Sequence, residues 1–98
     1  MDIVALDHNQ IAEFCRRWQV AELAVFGSAA RGDSRPDSDI DILVTFSPGA
    51  RIGLIAFSKM QIELSGLLDR EVDLVTRSGL KPRLRDAVLA EAQVLYAA

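Results

Sequence analysis

Cysteine is nearly absent from the chain. Cys15 stands alone among 98 residues, which excludes an intrachain disulfide and a cysteine-based zinc site. A basic excess is missing too: 11 Lys and Arg face 14 Asp and Glu, for a net charge of −3. A protein that grips nucleic acid by its phosphates normally shows a basic stripe. The nearest approach is Lys81, Arg83 and Arg85, which read equally well as a solvated helix start. Direct nucleic-acid binding is therefore not expected. Aromatics are few, with one Trp, one Tyr and four Phe, and no pair of them suggests a base-stacking platform. Apolar runs fall far short of the ~20 residues of a membrane span. Residues 1–6 lack the basic-then-apolar pattern of a signal peptide, so a soluble cytoplasmic protein is expected. Two phosphate motifs are also absent: there is no G-x-x-x-x-G-K-[ST], and Gly27 to Gly32 does not fit G-x-G-x-x-G.

What is present is an ordinary globular composition, half hydrophobic and about a quarter charged. The length suits one domain spanning residues 1–98. Hydrophobic spacing alternates between the helical and the strand period. Ile11, Phe14, Cys15 and Trp18 predict an amphipathic helix over residues 7–19. Short apolar runs predict strands over 21–26, 39–46 and 71–76. Leu54, Phe57, Ile62 and the 64–68 stretch predict a helix between the second and third strands. Leu84, Val88, Leu89 and Ala92 mark a last helix, with 94–96 as a short closing strand. A mixed α/β or α+β sheet flanked by helices follows. Periodicity leaves the strand order open.

Chemistry concentrates in residues 25–44, VFGSAARGDSRPDSDIDILV. The first strand ends at Phe26, and Gly27-Ser28 follows at once, opening a helical turn. Outward-facing N–H groups at such a turn, with the Ser28 hydroxyl, suit phosphate oxygens. Gly27 allows close approach because it has no Cβ. Asp39 and Asp41 stand at i and i+2 of a strand, so both carboxylates leave by one face. Such a pair repels itself unless a cation intervenes, and Mg²⁺ commonly sits on one or two carboxylates plus substrate phosphates. Asp73 lies between Val72 and Leu74 in another apolar strand, where an aspartate is out of place. It reads either as a third carboxylate completing a two-metal site or as a strand-end partner of Arg70 or Arg77. Arg31 is placed either to hold a triphosphate or to pair with Asp33 or Asp37. Ser38 either orders the loop before Asp39 or caps a turn, and His8 reads as a surface residue at a helix start.

Gly27-Ser28, ten intervening residues and Asp39-x-Asp41 match the G-S-x₁₀-D-x-D signature of the DNA polymerase β-like nucleotidyltransferases. Four fixed residues of these types coincide by chance at roughly one start position in 10⁴ to 10⁵, so the match is specific. Arg31-Gly32, Ser38, the strand carrying Asp73 and the segment from Lys81-Pro82 to Glu91-Ala92 resemble the minimal nucleotidyltransferase branch. The likeness covers residues 20–96, with no departure from the motif. It implies attack of a hydroxyl on the α-phosphorus of ATP, with release of pyrophosphate. In that scheme Gly27, Ser28, Arg31 and Ser38 serve the nucleotide, and Asp39, Asp41 and Asp73 serve as catalytic residues and ligands of two Mg²⁺ ions. Stand-alone members of this branch are commonly antitoxins that add AMP to a tyrosine of a HEPN-domain RNase toxin, so such a partner is expected. The alternatives are an antitoxin that only blocks its partner sterically, and the catalytic subunit of a two-chain small-molecule nucleotidyltransferase.

Overall fold

A computed structural model describes residues 7–32 and 39–98. The elements run α1 (His8–Arg17), β1 (Val20–Phe26), α2 (Ser28–Arg31), β2 (Ile40–Phe46), α3 (Leu54–Leu68), β3 (Val72–Thr76), a 3-10 turn (Arg77–Gly79), α4 (Pro82–Glu91) and β4 (Gln93–Ala97). Every element expected from the periodicity is present. Its boundaries shift by a few residues at most, and Asp39 falls just outside β2.

Helix starts and stops follow local chemistry. Asp7 caps α1, its Oδ1 accepting from the N–H groups of Asn9 at 3.0 Å and Gln10 at 3.2 Å. Arg16 and Arg17 stand in the last turn, where positive charge suits the dipole. Asp69 ends α3 in the left-handed region at φ 53°. Pro82 opens α4, where its missing N–H costs nothing.

The four strands lie in the order β3-β2-β1-β4. β1 pairs antiparallel with both β2 and β4, and β2 pairs parallel with β3 across the α3 crossover. The sheet is therefore mixed, as expected. On β2 the alternate residues Ile40, Ile42 and Val44 are fully buried, together with Leu23 and Val25 of β1 and Val72 and Leu74 of β3. Phe14 and Cys15 of α1 and Met60 and Leu64 of α3 complete this core. The period of two sends Asp41 and Asp73 out through the opposite face.

β3 is an edge strand, and α3 covers its outer side. Ser65 Oγ accepts from the N–H of Val72 at 3.1 Å, and Gln61 Oε1 accepts from the N–H of Leu74 at 3.0 Å. Two side chains thus satisfy the ladder groups that an uncovered edge would leave open. The residue between them is Asp73.

Several large side chains lie at the surface. α4 has no buried residue, and Leu84 and Leu89 are exposed. Trp18 is only partly buried and donates its Nε1–H to Glu63 at 3.2 Å. Ile62 points to solvent, as do Leu54 and Ile55. Among the described residues, no helix is long and apolar enough to cross a membrane.

Candidate active site

β1 delivers Phe26 opposite Asp41 of β2, and the chain then turns sharply at Gly27. Gly27 adopts φ 72°, ψ −150°, a region closed to residues with a Cβ. Space demands glycine as well: an added Cβ would lie 2.5 Å from Asp41 Oδ2. The Asp41 carboxylate is therefore lodged directly beneath the turn. α2 follows as one helical turn, and its first N–H groups have no acceptor within the helix. Ser28, which opens it, is half-buried beside them.

Parallel pairing sets Asp73 in register with Asp41. The two are 32 residues apart in sequence yet occupy adjacent strand positions on one face. Asp39 stands exposed one residue before β2. Burial pushes the Asp41 carboxyl above its ordinary range, and the negative charges of Asp73, Asp39 and Glu91 push the same way, against Arg31. Asp41 is thus a carboxylate short of positive charge. The charge of Asp73 is thus felt at Asp41, its neighbour in register.

This donor set fits a hard divalent cation, oxygen ligands around a partly desolvated carboxylate. It is not a closed cage. Among the described residues, no three His, Cys, Asp or Glu side chains gather closely enough to hold a metal ion on their own. Such a site suits an ion that also takes ligands from phosphate, as Mg²⁺ does.

Among the described residues, Arg31 pairs with Glu91. Its Nη1 donates to Glu91 Oε2 at 3.2 Å, across sixty residues of sequence. The other oxygen of Glu91 accepts the Gly27 N–H at 3.0 Å. Sequence reasoning gave Glu91 no role of its own. One signal was available: a carboxylate in the last position of a helix opposes the dipole, and so invites a search for a distant partner. Ser38, Asp33 and Asp37 lie outside the described residues. His8 is exposed, as expected.

Comparison with known proteins identifies the family. The family model of the nucleotidyltransferase domain matches residues 8–95. The protein adenylyltransferase MntA of Thermococcus cleftensis is 42% identical over 79 residues, 81% of this chain and 78% of that protein. The solved structure of a candidate minimal nucleotidyltransferase superposes with a TM-score of 0.77 at 41% identity, covering 95% of each chain. A chain of the complex between a tri-AMPylated Shewanella oneidensis HEPN toxin and its MNT antitoxin superposes with a TM-score of 0.65 at 25% identity, over 93% of this chain and 70% of that one. The mixed sheet with its helices is thus the fold of the nucleotidyltransferase domain family, to which this chain belongs.

Proposed function

We propose that the chain transfers AMP from ATP to a tyrosine hydroxyl of a HEPN-type RNase toxin and so acts as its antitoxin. The observation that carries the chemistry is Asp41 wedged beneath the Gly27 turn with Asp73 beside it in register. The relatives support the acceptor: one is a protein adenylyltransferase, and another belongs to a complex whose toxin carries AMP.

In the proposed reaction the tyrosine oxygen attacks the α-phosphorus. A new P–O bond forms while the bond from that phosphorus to the α–β bridging oxygen breaks, and pyrophosphate leaves. The Ser28 hydroxyl and the first N–H groups of α2 hold the β- and γ-phosphates, and Arg31 adds positive charge at the same turn. Asp39 and Asp41, with Asp73, would hold Mg²⁺, taken as two ions. Bound there, the metal would offset the phosphate charge and ease loss of the hydroxyl proton. Asp73, the more exposed of the paired aspartates, receives that proton. A phenol near pKa 10 yields it more readily than an aliphatic alcohol. Phosphoryl transfer needs mainly positioning and neutralised charge, which a small scaffold can supply. The added phosphate charge and bulk would close an RNA-binding cleft on the toxin.

The test is the intact mass of the toxin co-expressed with the wild-type protein or with Asp41→Asn. Added AMP seen only with wild type is the expected result. A second reading, a purely steric antitoxin, is favoured by Leu54, Ile55 and Ile62, which are 72–83% exposed on α3. An unmodified toxin that is still neutralised would select it.

A further inference from the structure

The phosphate-binding turn is held from behind by the segment joining α4 to β4. α2 is four residues long, a single turn that has little stability of its own. Both of its flanks are glycines at positive φ, Gly27 at 72° and Gly32 at 80°. Three hydrogen bonds from the far end of the chain grip it. Glu91 Oε1 takes the Gly27 N–H at 3.0 Å, and Glu91 Oε2 takes Arg31 Nη1 at 3.2 Å. Gln93 Nε2 donates to the Ala30 carbonyl at 2.7 Å.

We propose that Glu91 is a positioning residue for nucleotide binding, seconded by Gln93. This rests on the reading of the site as a nucleotidyltransferase centre. Glu91 ends α4, where its charge opposes the dipole, and the two donors of the turn compensate it. It spans the turn from its first residue to its last, and so fixes the spacing between the Gly27 backbone and Arg31. Because the Gly27 N–H is committed to Glu91, phosphate oxygens meet the N–H groups that follow it, at Ser28 and Ala29. The same grip presses Gly27 against Asp41, so the distance from phosphate turn to carboxylate is set by a side chain that touches neither phosphate nor metal. Arg31 offsets the Glu91 charge, which keeps a fourth carboxylate from repelling the triphosphate.

The experiment is titration of the full chain with Mg²⁺-ATP by calorimetry, with circular dichroism as the check on folding. Glu91→Ala removes both acceptors and is expected to weaken binding at least tenfold. Glu91→Asp keeps the charge but shortens the reach by one methylene, and is expected to behave like Glu91→Ala. Glu91→Gln keeps one acceptor oxygen at full length for the Gly27 N–H but turns an N–H₂ toward Arg31, and is expected to bind more tightly than Glu91→Ala and Glu91→Asp while staying weaker than wild type. Should Glu91→Ala not fold, the contrast between Asp and Gln carries the test. Unchanged affinity in the Ala and Asp variants would overturn the proposal. Tighter binding in Glu91→Ala would overturn it too, and would mark Glu91 as a competitor of the triphosphate. Wild-type protein that takes up no Mg²⁺-ATP would sink the nucleotidyltransferase reading itself, an outcome distinct from either.

Discussion

Replacing Gly27 by alanine tests the site with a single methyl group. At φ 72°, ψ −150° the backbone sits where only glycine is comfortable, and strain of this kind costs about 1–3 kcal/mol. The new Cβ would lie 2.5 Å from Asp41 Oδ2, closer than real Cβ contacts come, so the carboxylate or the turn must move by several tenths of an ångström. Alanine also stiffens the unfolded chain, returning roughly 0.4–1 kcal/mol. The net loss is about 2 kcal/mol, which lowers the melting temperature of a domain this size by roughly 8–16 °C. Gly32→Ala is the matched control. Its φ is 80°, but among the described residues nothing lies within 4 Å of the added methyl, so the left-handed strain of about 1–2 kcal/mol is what acts, less the same return. Thermal melts with and without Mg²⁺-ATP are the assay. Gly27→Ala should melt well below Gly32→Ala and lose the stabilisation by Mg²⁺-ATP that Gly32→Ala retains. Equal melting temperatures, or a full Mg²⁺-ATP response in Gly27→Ala, would refute the claim that Gly27 exists to admit Asp41.

Asp73→Asn should lower turnover far more than ATP affinity, because a proton acceptor matters mainly in the transition state; equal losses in single-turnover kinetics and in binding would return it to a structural role. Cys15 is fully buried, and burial pushes its thiol up to about 12, so it should resist thiol reagents in the native protein and react only on unfolding. Glu63 is held below its ordinary value near 4.5, chiefly by its hydrogen bonds with Arg17. Its contribution is therefore present above that value and lost as pH falls through the lower folded one, so Glu63→Gln should melt slightly below wild type at neutral pH, and the two profiles should converge in acid.

Much of the site was legible because its residues break local rules. Glycine straight after an apolar strand, two aspartates on one strand face and a third inside another each sit where propensity would not put them. The helix at residues 8–17 was legible for the opposite reason, its cap and apolar stripe agreeing. What the chain concealed is pairing. Period-two alternation marks β1, β2 and β3 alike, yet one neighbour of β2 runs antiparallel and the other parallel. Nothing local in Val72–Thr76 says that Asp73 will face Asp41. The contact of Arg31 with Glu91 was hidden for the same reason, since sixty residues of sequence separate the two.

The cover that α3 lays over the outer edge of β3 bears on how the gene can vary. Ser65 and Gln61 grip the N–H groups on either side of Asp73, while Ile40 and Ile42 take Val72 and Leu74 as neighbours on the buried face. A one-residue insertion or deletion between Leu68 and Val72 would ask the strand to slide by one position. Sliding would turn Val72 and Leu74 outward and carry Asp73 into the core, so every apolar pairing would fail together with the site. Drift in the length of that short connection is thus removed through loss of folding before any loss of activity is felt. Substitution at Asp73, by contrast, leaves the register intact. Lineages that abandon catalysis are therefore expected to change the aspartate and keep the spacing, so that the length from α3 to β3 outlasts the chemistry it once served.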